Sequence, residues 1–410
     1  MKLLRPKAAW PAAATGLLLT LGLLGYAGAT TQAVAAPAAT GFGVAPYVDM
    51  TNNQEPMLNA AISGAGLKAF TAAFVIGAGC TPIWGDTLPV TNDPTVNGEI
   101  ASAQSAGAQA IISFGGAGGV ELAQSCTDTN SVTAAYQTVV NTLHVNHIDF
   151  DVEGAAIADT ASLNRRFAAI KSLEGSNPGL VVSVTIPVLP SGPDNYGQAF
   201  LQAAKADGAR LDVINVMTMD YYGSWDSNPQ MGSYATQAAT ATLNLARTLW
   251  PSDTYGNIGI TPMIGQNDDA AEVFSENDAH TVVNFASANG IGRLAFWSVD
   301  RDQPCGGGVS GLPSCTNISQ SKLDFSKIFD SYSGGGGGGG TPPPTTTTTT
   351  TTPPGGGGCG GVAAWSTTTS YVPGNVVSYG GHKYTATYWS TGVTPGSAIA
   401  WNIWQDNGAC

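Results

Sequence analysis

Short β-type runs alternate with longer alanine-rich segments along most of the chain, and this alternation restricts the fold more than any other feature. Strands separated by helical segments of this length are typical of a parallel sheet with crossover helices. Eight such runs favour a closed (β/α)8 TIM barrel over an open doubly wound sheet, so we predict an α/β fold. The predicted strands cover residues 43–49, 67–76, 110–114, 147–153, 181–186, 213–219, 258–263 and 294–299.

The fourth predicted strand carries three carboxylates, Asp149, Asp151 and Glu153, which alternate with apolar residues. Because side chains in a strand point to opposite faces with a period of two, all three acids share one face. Like charges that are buried together repel and lose hydration, so some of them should be protonated or hydrogen-bonded. This costly arrangement predicts a catalytic site. The alternatives are a buried hydrogen-bonded network or a metal site that includes His147, but no second histidine cluster accompanies it, and we expect no metal and no cofactor.

Other polar or aromatic residues fall where predicted strands end. In a barrel of this type the active site lies at the carboxyl ends of the strands. These residues are therefore candidates to surround the three acids. They are Asp49 at the end of strand one, Gly115 and Gly116 after strand three, Asp220 and Tyr221 after strand six, Gln266 after strand seven, and Trp297 late in strand eight.

Segment 149–153 resembles the D-x-x-D-x-D-x-E signature of glycoside hydrolase family 18, which contains the chitinases and endo-β-N-acetylglucosaminidases. Segment 113–116 resembles the S-x-G-G motif of that family on strand three. Segment 217–221 resembles its strand-six motif, and Trp297 resembles its strand-eight tryptophan. The resemblance extends over roughly residues 41–332. It implies a barrel enzyme that hydrolyses glycosidic bonds.

Two positions depart from the pattern of that family. Asn146 stands where the first aspartate of the signature is common, and Met219 stands where many members carry a tyrosine that contacts the substrate acetamide. The first departure lies away from the predicted chemistry. The second leaves open whether Tyr221 or Tyr222 supplies the missing hydroxyl group.

The resemblance implies a retaining, substrate-assisted mechanism, which differs from the two-carboxylate schemes of most glycosidases. In it Glu153 is the general acid, and Asp151 orients the N-acetyl group of the substrate so that its carbonyl oxygen attacks the anomeric carbon. Asp149 shares a proton with Asp151, and nearby negative charge is expected to keep Glu153 protonated.

The resemblance also implies substrate-binding roles around the acids. Trp297 is expected to form a floor under a sugar ring, with packing in the core as the alternative. The glycines at 115 and 116 are expected to keep the backbone close beneath the site rather than to touch substrate. The remaining expected contacts are Asp220, Tyr221, Met217, Gln266 and Tyr47, and the alternative for Asp220 and Tyr221 is hydrogen bonding within their loop.

Composition limits the partners and the compartment. The formal net charge is -13 while only 10% of residues are charged, which argues against nucleic acid or an anionic membrane as a partner and favours a neutral substrate. Residues 1–35 have the pattern of a secretory signal, so we expect a secreted protein, and a monomer. Six cysteines in an exported chain favour disulfides, and fifteen pairings are open. Proximity in sequence favours Cys80 with Cys126, Cys305 with Cys315, and Cys359 with Cys410.

After residue 333 the composition changes. Residues 334–358 are a glycine, threonine and proline tract that cannot bury a core, so we predict a catalytic domain over 36–333 followed by a linker. Residues 359–410 carry many aromatic residues and a cysteine at each end, and we predict a small all-β domain held by a disulfide.

This small domain resembles the chitin-binding modules of carbohydrate-binding families 5 and 12, in segments such as 364–366, 371–374 and 384–386. Those modules expose adjacent aromatic residues, which correspond here to Tyr388 and Trp389. The combination predicts a chitinase that acts on chitin or chitooligosaccharides. The alternatives are an endo-β-N-acetylglucosaminidase acting on glycoprotein glycans and a catalytically silent chitin-binding lectin.

Overall fold

A computed structural model describes residues 42–51, 55–85, 88–227, 229–334, 361–366, 369–371, 375–386, 390–391, 394–396 and 404–410. The chain divides into two compact units, Met1–Gly339 and Gly340–Cys410. The predicted signal segment and nearly all of the predicted linker lie outside the described residues.

The first unit is built on a curled sheet in which eight parallel strands follow one another in chain order. Backbone hydrogen bonds join the last strand to the first, from Ala45 N to Leu294 O at 2.9 Å and from Leu294 N to Gly43 O at 2.8 Å. The predicted (β/α)8 barrel is confirmed. Its strands are β1 (Tyr47–Asp49), β2 (Ala69–Ala78), β4 (Gln109–Gly115), β5 (His147–Asp151), β6 (Val181–Pro187), β7 (Val213–Met217), β8 (Ile258–Thr261) and β11 (Arg293–Leu294).

Three short strands stand outside the barrel order. The strand β3 (Thr81–Trp84) pairs antiparallel with β2, and β9 (Gly265–Gln266) pairs with β10 (Val273–Phe274) after β8. The last barrel strand is shorter than the predicted run 294–299, which continues as a single parallel bridge between Met263 and Trp297.

The helices lie between successive strands and begin at well-formed caps. The side chains of Asp93, Asp128, Asp159 and Asp194 each accept a backbone N–H at a helix start, where a negative charge is favourable. The helices are α1 (Glu55–Ala60), α2 (Pro94–Ser105), α3 (Leu122–Ser125), α4 (Thr129–Leu143), α5 (Gly154–Ala158), α6 (Thr160–Ser176), α7 (Asn195–Asp207), α8 (Met231–Leu249), α9 (Glu276–Asn289) and α10 (Asp324–Asp330).

The core lies between the barrel strands and the surrounding helices. On β5 the apolar side chains point outward, and Phe150 stacks on Phe114 with ring centroids 5.2 Å apart. Tyr136 of α4 packs edge-on against both rings. The outward face of β5 is thereby fixed against helices, so its acids must face the barrel interior.

Disulfides close two loops of the first unit. Cys80 pairs with Cys126 and Cys305 with Cys315, as proximity in sequence favoured. Cys410 is also disulfide-bonded, and its predicted partner Cys359 lies outside the described residues. No helix in the described ranges combines the length and the apolar character needed to cross a membrane.

The second unit is a small all-β structure, as predicted. A three-stranded antiparallel sheet contains β13 (Val376–Tyr379), β14 (His382–Ala386) and β16 (Trp404–Ala409), and β12 (Ser370–Tyr371) pairs with β15 (Ser390–Thr391). Its core consists of Tyr371, Val377, Tyr384, Ala386 and Trp404, with Trp365 packed against it. The predicted binding pair Tyr388 and Trp389 lies outside the described residues.

Candidate active site

A pocket of about 200 Å³ opens at the carboxyl ends of the barrel strands. Asp151 and Glu153 lie in its wall, and Asp149 is fully buried on the same strand. The structure therefore brings the row of acids to the mouth of the barrel, in order of depth. The lining residues are Tyr47, Phe74, Ala117, Asp151, Glu153, Thr185, Met217, Met219, Asp220, Thr261, Met263, Asp268 and Trp297.

Asp149 is held by four hydroxyl groups. Its Oδ2 accepts from Tyr47 at 3.0 Å and from Ser113 at 2.8 Å, and its Oδ1 accepts from Ser183 at 2.5 Å. Thr185 donates to the same carboxylate at 3.1 Å. The register explains this arrangement, because Ser113 and Ser183 lie beside Asp149 on the two neighbouring strands. The four donors fix the position and orientation of the carboxylate.

Asp151 has a different environment. Its Oδ1 is buried and has no hydrogen-bond partner among the described residues. Burial raises the pKa of Asp151 well above its usual value, and the charges of Glu153 and Asp149 raise it further. Asp151 also lines the pocket. The predicted sharing of a proton between Asp149 and Asp151 stays a prediction.

Glu153 lies just beyond the end of β5, where its backbone is extended before α5 begins. Burial raises the pKa of Glu153 to about 7, and the charge of Asp220 adds to this effect. The expectation that negative charge alone keeps Glu153 protonated was therefore incomplete, because loss of hydration is the larger cause. A carboxyl group with this pKa can both donate and take back a proton near neutrality.

Tyr47 links the acids to the aromatic side of the pocket. Burial and the charges of Asp149 and Asp151 raise the pKa of Tyr47 well above its usual value, so its hydroxyl group keeps its proton and donates. Its ring lies 6.0 Å from the ring of Trp297. Phe74 stacks on Trp297 at 5.6 Å with an angle of 11° between the rings. Trp297 and Phe74 both line the pocket and form one apolar surface. The role of Trp297 as a floor under a sugar ring stays a prediction.

Gly115 and Gly116 lie directly beneath the acids. Gly115 has a φ of 106°, and a Cβ atom there would lie 2.0 Å from the carbonyl oxygen of Asp151. A Cβ atom on Gly116 would lie 2.5 Å from the ring of Phe74. Neither glycine lines the pocket. Their position is consistent with the expectation that they let the backbone approach closely and do not contact substrate.

On the opposite wall the structure brings together Met217, Met219 and Asp220, but not Tyr221 or Gln266. Tyr221 is 5% exposed and packs edge-on against Tyr234 of α8. The side chain of Gln266 accepts from Asn317 Nδ2 at 2.6 Å instead. Tyr222 is 55% exposed and does not line the pocket either, so neither tyrosine replaces the hydroxyl group missing at Met219.

Several functional candidates were missed at the sequence level. Thr185 and Thr261 alternate with apolar residues on β6 and β8, and this period of two was a usable signal. Phe74 gave no such signal because its strand is apolar on both faces. Arg293, at the base of the barrel, is fully buried and donates to Ser183 at 2.8 Å. It supports the donors around Asp149 and carries a charge in an otherwise apolar run.

His147 does not complete a metal site with the row of acids. Its Nε2 pairs with the guanidinium group of Arg293, and burial together with that charge lowers the pKa of His147 well below its usual value. In the described parts of the chain, the group of side chains with metal-ligand spacing is Asp226, Asp269 and Glu272, which contains none of the row.

Comparison with known proteins settles the family. The sequence profile described as "Glycosyl hydrolases family 18" matches residues 46–254. This chain belongs to glycosyl hydrolase family 18. The matched residues include the three acids of β5 and its end, the glycines at 115 and 116, and the part of the pocket wall formed by Met217, Met219 and Asp220. The described TIM barrel is therefore the family 18 unit of this chain.

The chain is also similar to individual known proteins and to a solved structure. It is 33% identical over 307 residues to a probable bifunctional chitinase/lysozyme of Escherichia coli, and 32% identical over 274 residues to endochitinase 11 of Metarhizium anisopliae. These matches cover 70% and 63% of this chain, but only 34% and 52% of the relatives. The active domain 2 of a chitinase from Pyrococcus furiosus matches with a TM-score of 0.64 and 29% identity, covering 71% of this chain and 94% of that domain.

Proposed function

We propose that this family 18 hydrolase cleaves the β-1,4 bonds of N-acetylglucosamine polymers, chitin and its soluble oligosaccharides, with retention of configuration. The observation that carries the proposal is the unequal treatment of the three acids. Asp149 is saturated by hydroxyl donors, Asp151 keeps a buried oxygen without a partner, and the pKa of Glu153 is raised to about 7. Each state fits one role in a substrate-assisted reaction.

In the first step Glu153 donates its proton to the glycosidic oxygen, and the bond from that oxygen to the anomeric carbon breaks. The carboxyl group of Asp151, which lines the pocket, accepts the N–H of the substrate acetamide and turns the acetamide carbonyl oxygen toward the anomeric carbon. That oxygen forms the new bond and gives an oxazolinium intermediate. In the second step Glu153 takes a proton from water, which opens the ring with overall retention.

Asp149 acts through Asp151 in this scheme. Its charge raises the pKa of Asp151, while the hydroxyl donors around it fix its position. Trp297, Phe74 and Tyr47 offer an apolar surface that suits the CH face of a pyranose ring, and Asp220 and Met217 form the facing wall. Gln266 and Tyr221 lie outside that pocket and have no role in this scheme.

The names of similar proteins support chitin and its oligosaccharides as the substrate. The two curated relatives are a chitinase/lysozyme and an endochitinase, and the Pyrococcus furiosus domain has also been solved in complex with chito-oligosaccharides. We propose further that the protein is secreted as a monomer. Residues 359–410 would then hold it on insoluble chitin through Tyr388 and Trp389, with a disulfide between Cys359 and Cys410.

Proton NMR of the first products from chitotetraose or chitopentaose tests the mechanism. Retention predicts that the new reducing ends appear first as the β anomer. Fully deacetylated oligosaccharides of the same length are the matched control, and they should resist hydrolysis because they lack the attacking carbonyl oxygen. Initial release of the α anomer, or equal cleavage of the deacetylated oligosaccharides, would contradict substrate assistance.

A further inference from the structure

A second group of acids lies beside the pocket and is not used by the mechanism. One carboxylate oxygen from each of Asp226, Asp269 and Glu272 lies within 4.8 Å of the others. Asp226 belongs to a 3-10 helix, Gly223–Ser227, that follows β7, while Asp269 and Glu272 lie in the connection from β9 to β10. The group therefore joins two separate loops at the carboxyl end of the barrel.

Glu272 gives an independent indication that this group binds something. Its side chain is 0% exposed, and its Oε1 accepts from the backbone N–H of Tyr221 at 2.8 Å and of Tyr222 at 3.0 Å. Its Oε2 and the buried Oδ1 of Asp226 have no donor among the described residues, and the two carboxyl groups lie within hydrogen-bonding distance of each other. Carboxyl groups this close in a buried place repel each other when ionised, so a cation or a shared proton is needed between them.

The described protein groups do not supply that charge. None of the ion pairs within 4.0 Å in the described residues includes Asp226, Asp269 or Glu272. The nearby carboxyl group of Asp220 adds to the negative charge around Glu272.

We propose that Asp226, Asp269 and Glu272 bind one calcium ion. Calcium takes oxygen ligands at about 2.3–2.6 Å, so oxygens on opposite sides of the ion lie about 5 Å apart. The three oxygens lie within 4.8 Å of one another, which lets a single ion contact all of them. Magnesium binds at about 2.0–2.1 Å with near-ideal octahedral geometry, which an irregular group from two loops matches less well.

The ion would tie together the two loops that shape one wall of the pocket. Asp269 N donates to Asp220 Oδ1 at 2.9 Å, and Asp220 lines the pocket. Asp220 and Tyr222 have φ values of 49° and 58°, which are strained for residues other than glycine. Calcium bound by Glu272, which already accepts the N–H of Tyr222, would stabilise this strained loop without entering the chemistry.

Calcium binding to the full chain tests the proposal. After treatment with EDTA and its removal, titration with CaCl₂ at pH 7.5 in a calorimeter should show one site. Calcium should also raise Tm, EDTA should reverse the rise, and MgCl₂ at the same concentration should have a smaller effect. Asp226→Asn should weaken calcium affinity by roughly tenfold or more, because it removes a charged ligand.

Asp268→Asn is the matched control. Asp268 is an exposed acid in the same turn as Asp269, so its replacement removes the same charge without removing a ligand. It should leave calcium affinity nearly unchanged. The absence of calcium-dependent heat and of any Tm shift overturns the proposal, as does equal weakening by both variants. A proton shared between Glu272 and Asp226 would give the first of these results. The experiment measures calcium binding and not activity. A protein that binds calcium but does not hydrolyse chitin would therefore contradict the proposed function and leave the calcium proposal intact.

Discussion

At the scale of single residues, the proposed reaction depends on Glu153 having a pKa near neutrality. Burial is the main cause of this pKa of about 7, and the charge of Asp220 is the second. The acid is protonated below that pH and ionised above it. Because the first step needs the protonated form, kcat/KM should fall as pH rises through about 7.

Replacement of Asp220 tests this assignment. Asp220→Asn removes the charge that disfavours ionised Glu153, so the alkaline limb of the kcat/KM profile on chitotetraose should move to lower pH. Asp330→Asn removes an equal charge on α10 and serves as the control. An alkaline limb that stays in place in Asp220→Asn, or moves equally in both variants, would show that another group sets it.

Tyr47 tests the network around Asp149. Tyr47→Phe leaves one of the hydroxyl donors to Asp149 missing, and we expect kcat to fall by roughly tenfold to a hundredfold as the acid row loses its fixed position. Tyr136→Phe is the matched control, since Tyr136 is also a fully buried tyrosine that donates to a carboxylate, Glu121, at 3.3 Å. Both variants should lose about 1–3 kcal/mol of stability. If Tyr47→Phe and Tyr136→Phe have the same kcat, Tyr47 only supports the fold.

At the scale of elements, the turn after β4 determines how close the backbone can come to the acids. Gly115→Ala places a Cβ atom 2.0 Å from the Asp151 carbonyl oxygen, at a φ of 106°. We expect a loss of about 2–5 kcal/mol in the free energy of unfolding, measured by denaturant titration.

Gly118→Ala is the control in the same turn, because a Cβ atom there meets nothing within 4 Å. It should change the free energy of unfolding by no more than about 0.5 kcal/mol. If the two variants lose the same stability, close approach at Gly115 is not what the turn requires.

The elements were largely predictable from sequence because local pattern determines them. Alternation of polar and apolar residues placed Asp149, Asp151 and Glu153 on one face of a strand. The loops were not predictable in the same way. Tyr221 turned away from the pocket because its backbone N–H and its ring are held by Glu272 and Tyr234, which are distant in sequence. Phe74 reached the pocket from a strand that is apolar on both faces, where periodicity carries no information.

At the scale of the whole molecule, the chain contains two units with separate cores. If residues 359–410 hold the enzyme on insoluble substrate, their deletion should reduce the rate on crystalline chitin severalfold or more while leaving kcat/KM on chitotetraose nearly unchanged. The double variant Tyr388→Ala and Trp389→Ala should reproduce the effect of the deletion. Equal losses on both substrates would refute the anchoring role.

The account as a whole depends on Glu153 as the proton donor of a family 18 hydrolase. The most direct test is the turnover of chitotetraose by Glu153→Gln, with binding of the same oligosaccharide measured by calorimetry. We expect kcat to fall by at least roughly a hundredfold while Kd stays within a few-fold of the wild-type value, because the amide keeps the shape of the acid but cannot donate its proton. Substantial residual turnover by a folded Glu153→Gln protein would contradict the central claim.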